Sequence, residues 1–209
     1  MTERHYYHSD ALQLQAQVLA CQPLEDGNYA LELDATLFHP QGGGQPADGG
    51  TLNGEPLLRL VPRGEDILHV VARPQPPGAI DIEVDGRLRV LHARWHSAGH
   101  LIGYLGETQG WRPVKAHHWP GEGRITFMPG DGVKALEQAW LQEALTRLIA
   151  ADLPRRQRQE NGVRQVGFGD LPAYGCGGTH VRSLAELGEV TISALKMKKG
   201  QLVVYYDLR

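Results

Sequence analysis

The chain has 209 residues, 41% of them apolar and 22% charged, with a formal net charge of −3. That is the balance of an ordinary globular protein with room for one large domain or two modest ones, and no apolar run approaches the length that spans a bilayer. Two cysteines, Cys21 and Cys176, are too few for a disulfide framework, so each is read singly, as core filler or as a ligand. The opening MTERHYYHSD lacks an apolar signal-peptide core, and the expected compartment is a reducing cytoplasm.

The first part of the chain reads as β. LQLQAQVLA and NYALELDA alternate apolar and polar residues with period two, as half-buried strands do. TLNGEPLLRLV carries a hairpin signal at Asn53-Gly54, and DILHVVA and AIDIEVD add short strands on either side of the turn-rich RPQPPG. Many short strands punctuated by Gly and Pro suggest a small barrel or sandwich. The period changes after Asp85-Gly86, where Leu88, Leu91, Trp95, Ala98, Leu101, Ile102 and Leu105 form a helical stripe that stops at Gly106. That junction is the expected boundary between a β domain, 1–86, and an α+β domain, 87–209. A second helix is expected from Asp131 as N-cap to a point near Leu153, because Pro154 disfavours helix in the residue before it. RITFM reads as a strand between the helices, and EVTISALKM and QLVVYYDL as a strand pair around Lys199-Gly200.

Histidines at 92, 96 and 100 fall one turn apart on the first helix. Residues four apart share a helix face, so His96 and His100 can grip one ion. The apolar Leu101-Ile102 that follows favours this pair over His92, which reads as a partly buried histidine above the site. A His-x3-His pair alone is usually packing. GCGGTH changes the odds, because Gly177 and Gly178 allow the bend that lets Cys176 and His180 converge. Three imidazoles and a thiolate form a nitrogen–sulfur set suited to tetrahedral zinc rather than to magnesium or calcium. Cys21 reads as a small hydrophobe, and His117 and His118, just before Trp119-Pro120, as surface loop histidines, with the lining of a substrate groove as the alternative.

A further stretch, TLFHPQGGGQPADGG, is unsuited to a strand interior. Its glycines let backbone N–H groups approach a ligand and aim one polar side chain, Gln45. It lacks the lysine of a P-loop, which excludes a nucleoside-triphosphate reading. Charge is unevenly placed. Residues 154–209 hold nine Lys/Arg against five Asp/Glu, and the remaining residues twelve against nineteen. RRQR (Arg155 to Arg158) and KMKK (Lys196 to Lys199) gather the basic side chains, a solvated surface or a phosphate-binding face.

Together these motifs resemble the free-standing alanyl-tRNA editing proteins of the AlaX type, which are similar to the editing domain of alanyl-tRNA synthetase. HSAGH is similar to the family's His-x3-His motif, CGGTH to its Cys-x3-His motif, and FHPQGGGQPADGG to its glycine-rich loop. The family usually has Tyr before the Pro of that loop, where this chain has His39. The resemblance implies an α+β fold, with a small N-terminal β-barrel packed on a C-terminal two-layer α/β editing domain and a cleft between them. It implies one zinc per chain held by His96, His100, Cys176 and His180. Thr36, Gly43, Gly44 and Gln45 would then lie where the aminoacyl group is read, and the partner would be tRNA(Ala) carrying serine, with glycine as a second candidate. Such a chain would correct and not charge.

The expected reaction is hydrolysis of the ester between amino acid and terminal ribose, with metal-activated water as the simplest attacking group and no separate protein base assigned. A catalytic zinc generally keeps one position open, and His180 is the ligand expected to be labile. Lys198 and Lys199, beside the hairpin turn, are the expected tRNA contacts. Nothing asks for a membrane, or for more than a monomer. Two rival readings remain open: a zinc hydrolase of small esters or amides, and a non-enzymatic RNA-binding module with structural zinc.

Overall fold

The computed structural model describes residues 1–209 as two compact units, one of residues 1–42 and 46–90, the other of residues 43–45 and 91–209. The strands of the first are β1 (Glu3–Arg4), β2 (Gln13–Pro23), β3 (Tyr29–Leu33), β4 (Ala35–Thr36), β5 (Gly50–Leu52), β6 (Glu55–Pro56), β7 (Arg59–Arg63), β8 (Asp66–Val71) and β9 (Gly78–Val84). Seven of them form one sheet in the order β6-β5-β9-β2-β3-β8-β7, and β1 pairs in parallel with β4. The sheet is a curled half-barrel. The small barrel expected from the strand pattern therefore stays open, with β6 and β7 as its edges. Asn53-Gly54 makes the turn between β5 and β6 with positive φ at both residues, as the dipeptide predicts.

Alternation supplies this unit's core. Ala16 and Val18 on β2, Leu31 and Leu33 on β3, and Ile80 and Ile82 on β9 are buried around Leu37, Phe38 and Leu52. Cys21 packs against the same cluster as a partly buried apolar residue. A buried ion pair closes the glycine-rich segment within this unit. Arg89 Nη2 donates to Asp48 Oδ2 and to the Leu37 carbonyl, both at 2.6 Å. Asp48 Oδ2 also accepts the His39 N–H at 2.7 Å, and the Asp48 N–H returns to the His39 carbonyl at 2.9 Å.

Helix α1 spans Gly86–Thr108. Asp85 starts it as expected: its Oδ1 accepts the N–H of Arg87 at 2.9 Å and of Leu88 at 3.1 Å. The second unit then adds β10 (Trp111–His117), β11 (Arg124–Pro129), α2 (Gln138–Ala150), β12 (Arg155–Glu160), β13 (Val163–Phe168), β14 (Tyr174–Gly175), β15 (Val190–Lys198) and β16 (Gln201–Leu208). One antiparallel sheet runs β10-β11-β16-β15 and a second β12-β13-β14. The buried stripe of α1, Ala98, Leu101, Ile102 and Leu105, shares a core with Ile125 and Phe127 of β11 and with Leu202, Val204 and Tyr206 of β16.

The second helix departs from its expected start. It begins at Gln138, not after Asp131, with Glu137 as an N-cap that makes no side-chain bond. The intervening residues are tied elsewhere: the Lys134 carbonyl accepts the Trp111 indole N–H at 2.9 Å and the Lys134 N–H reaches the Gln109 carbonyl at 2.9 Å. Those two bonds commit the peptide groups that a helix from Asp131 would need. No helix of the chain is long and apolar enough to cross a membrane.

Candidate metal centre

His96, His100, Cys176 and His180 come together in the second unit, with one ligand atom from each lying within 4.8 Å of all the others. Cys176 Sγ is 3.2 Å from His180 Nε2 and 3.6 Å from His96 Nε2. The rings of His96 and His180 stack at 4.5 Å between centroids, and that of His100 stands across His180 at 4.5 Å.

The second ring nitrogens are held so that the first face the thiol. Gln45 Oε1 accepts the backbone N–H of Thr179 at 2.9 Å, which fixes the amide's orientation, since only the oxygen can take that bond. The same oxygen is 2.7 Å from His96 Nδ1, so Nδ1 carries the proton and Nε2 keeps its lone pair. Gln45 Nε2 donates to Thr179 Oγ1 at 2.9 Å. His180 Nδ1 is 3.0 Å from Ser97 Oγ, which also accepts the Val181 N–H at 3.2 Å. Partners on the far nitrogen that set tautomer and ring direction are what metal-binding histidines ordinarily have.

Backbone anchors position the CGGTH segment. Arg164 Nη1 donates to the carbonyls of Cys176 at 3.0 Å and Gly178 at 2.8 Å, and Arg155 Nη1 to that of His180 at 2.7 Å. Gly178 has no alternative: a Cβ there would stand 2.0 Å from His96 Cε1. Gly44, at φ +84°, is equally constrained, since its Cβ would lie 2.7 Å from the Ala116 carbonyl oxygen. The Gly44 carbonyl accepts the His118 N–H at 2.9 Å, seating the tip of the glycine loop, Gly43 to Gln45, in this unit.

Burial sets the protonation states. It pulls His100 down to about 4, helped by the positive charge of Arg164. His180 falls well below its usual value, by burial first and then by the charges of His100, Arg164, Arg155 and His118. Burial pushes the Cys176 thiol up, opposed by the Gly178 N–H and by Arg164. His100 and His180 are thus held as neutral imidazoles, and with His96 and the thiolate of Cys176 they make a four-donor set for a soft or borderline divalent cation. The residues fit zinc.

Sequence reasoning missed His118. It is a buried residue, not a surface loop histidine, with its ring 4.7 Å from that of His96. Tyr206 Oη donates to the Trp95 carbonyl at 2.9 Å and so accepts from His118 Nδ1 at 2.7 Å. Burial takes His118 to about 3, with His100 and His117 adding to the shift, so the ring is neutral. The ring fills the space that Gly99 leaves on α1, where a Cβ would lie 2.2 Å from His118 Cε1. Gly99 inside a helix was the available signal. His92 is buried on α1 and outside the four-ligand cluster.

The other expected site residues fall in different surroundings. Thr36, fully buried in the first unit, has its Oγ1 2.8 Å from His69 Nε2 and accepts the Phe38 N–H at 3.1 Å. Lys198 and Lys199 stand at the exposed turn between β15 and β16, where Lys199 and Gly200 both have positive φ.

No family model matches the chain. It is 29% identical to the alanyl-tRNA editing protein Aarsd1-B of Xenopus laevis over 91% of this chain and 54% of that protein. It is 30% identical to an alanine–tRNA ligase of Pyrobaculum neutrophilum over 82% of this chain and 23% of the ligase. It is 27% identical to the alanyl-tRNA editing protein AlaX-M of Pyrococcus horikoshii over 95% of this chain and 92% of that protein. The chain spans about half the length of the Aarsd1-type relatives it matches and most of the AlaX-M protein. By sequence, this chain is similar to proteins named alanyl-tRNA editing proteins and to a segment of alanine–tRNA ligase.

Proposed function

We propose that this protein is a zinc-dependent aminoacyl-tRNA deacylase that hydrolyses tRNA(Ala) mischarged with serine, with glycine as a second cargo. The observation that carries the reading is the four-donor cluster whose His96 tautomer is set by Gln45. On this reading His96, His100, Cys176 and His180 hold one zinc per chain. The bound metal supplies Lewis acidity at the ester carbonyl and to water. Residues 1–86 contribute Thr36 as the reader of the serine hydroxyl, residues 87–209 the metal-binding helix and loop, and Lys198 and Lys199 contact tRNA.

The chain's own groups support that role. Arg164 and Arg155 fix the backbone around Cys176 and His180, so the thiol and imidazole are already converged. His118 and Tyr206 close one side of His96 without a charge. No Asp or Glu is among the four donors of the cluster, and metal-activated water is the simplest attacking group on this reading.

Hydrolysis of Ser-, Gly- and Ala-tRNA(Ala) by zinc-loaded protein tests the activity, with loss of the serine ester and survival of the alanine ester expected. Metal analysis tests the site. His96→Ala and Cys176→Ala proteins should each lose the single equivalent of zinc, and retention by both would move the metal elsewhere. Zinc without any deacylation would favour a structural metal in an RNA-binding module.

A further inference from the structure

The face of the β10-β11-β16-β15 sheet opposite α1 has no partner in the cluster and carries its own chemistry. Alternation along β11 and β16 sends Ile125, Phe127, Leu202, Val204 and Tyr206 into the core, which leaves Arg124, Thr126, Val203 and Tyr205 on the other side. A groove of about 480 Å³ lies there, lined among others by Lys115, His117, Arg124, Lys198, Lys199 and Tyr205. No carboxylate lines it. The acid at its margin is Glu122, 3.2 Å from His117 Nε2 and 3.8 Å from Arg124. Register places Lys196 opposite Val203 on the same face, with its Nζ 5.3 Å from the centre of the Tyr205 ring. Trp119, partly exposed, lies parallel to His117 at 5.6 Å and extends the face with a flat aromatic surface.

We infer that this sheet face is the RNA-binding surface, holding the phosphodiester backbone of the tRNA acceptor end on Lys115, Arg124, Lys198 and Lys199 and stacking an unpaired base on Trp119. The inference rests on the deacylase reading for the identity of the RNA, and on charge complementarity and the exposed aromatic ring for its kind. Cations spaced across a sheet neutralise successive phosphates, and an exposed ring beside them offers a face on which a base can stack. The other basic run of the sequence is less free. In RRQR, Arg155 is committed to the His180 carbonyl, Arg156 pairs with Asp170 at 3.6 Å and Arg158 with Glu160 at 3.1 Å.

The test uses full-length protein and uncharged tRNA(Ala), with K115E/K198E as the charge variant and W119A as the stacking variant. Both lysines are exposed and lie on different strands, so neither change disturbs the core. The charge variant should bind tRNA at least about tenfold more weakly in moderate salt. The slope of log affinity against log salt should fall by about two units, one per lost phosphate contact. W119A should weaken a single-stranded acceptor-end oligonucleotide about tenfold with an unchanged salt slope. Far-UV circular dichroism and zinc content should be the same in all three proteins, so that a loss of affinity reads the surface and not the fold. Unchanged tRNA affinity and slope in K115E/K198E would overturn the inference, and so would tighter binding of polyglutamate than of tRNA, which would assign the face to an acidic protein. Groove-dependent tRNA binding by a parent protein that hydrolyses no aminoacyl-tRNA would remove the deacylase reading and leave the RNA surface standing.

Discussion

Gln45 Oε1 lies 2.7 Å from His96 Nδ1, joining a glycine-loop side chain to a helix histidine far along the chain. The bond decides which nitrogen of His96 is free to bind. Gln45→Leu removes that partner and the two bonds to Thr179 together. Loss of such an outer partner typically costs 10–100-fold in metal affinity. The variant is expected to release zinc to a chelator about that much more readily, with the four ligands still present. An unchanged chelator titration would confine Gln45 to holding the loop.

Thr36 is expected to divide selectivity from metal binding. Its hydroxyl is bonded within the first unit to His69 and to the Phe38 N–H. Thr36→Val keeps the shape, removes the hydroxyl and leaves two buried polar groups short of a partner, at a cost of about 1–3 kcal/mol. The variant should unfold at lower denaturant, retain one zinc and show a smaller ratio of seryl- to alanyl-tRNA hydrolysis. A parental ratio would remove Thr36 from the reading of serine.

Acid should weaken the fold through His69. Its ring is fully buried, and burial lowers it to about 4. The unfolded chain takes up a proton near 6.5, so between about pH 6.5 and 4 the unfolded state binds more protons and stability falls as pH falls. The full span is worth up to about 3 kcal/mol. Denaturant unfolding of the parent and of His69→Gln across this range measures it. The parent should lose more stability on acidification, and parallel curves would assign the acid sensitivity to other groups.

The Arg89–Asp48 pair should be costly to break from one side. Both residues are buried, and Asp48 also accepts the His39 N–H. Arg89→Met leaves a buried carboxylate without its cation, a change expected to cost about 3–5 kcal/mol. Thermal unfolding of Arg89→Met and of the double replacement Arg89→Met/Asp48→Leu checks this, with the double variant expected to recover part of the loss.

Strands with one wet face and helices with strong caps were legible in the sequence. β2, β3 and β9 announce themselves by alternation, α1 by Asp85, and the last hairpin by Lys199-Gly200. β12 was not, because RRQRQE is polar throughout and almost wholly exposed, so it has no period to read. Asn161-Gly162, with positive φ at both residues, was the signal for the β12-β13 hairpin. β10 was hidden by Pro113 and by the register shift between Pro113 and Lys115. In the site, side chains that converge through a helix repeat or a glycine bend were readable. The roles of His118, Arg155 and Arg164 were not, since each depends on a partner distant in sequence.

The contact between Gly99 and His118 bears on how this site could have changed over time. A helix position that accepts only hydrogen faces an imidazole that uses the vacated space. Exchanging either residue alone is expected to cost stability: a side chain at 99 meets the imidazole, and a small residue at 118 leaves a hole beside His96. Relatives with a larger residue at the first position are expected to carry a smaller one at the second. The two positions are expected to covary across an alignment, and a double exchange at 99 and 118 to be better tolerated than either single exchange.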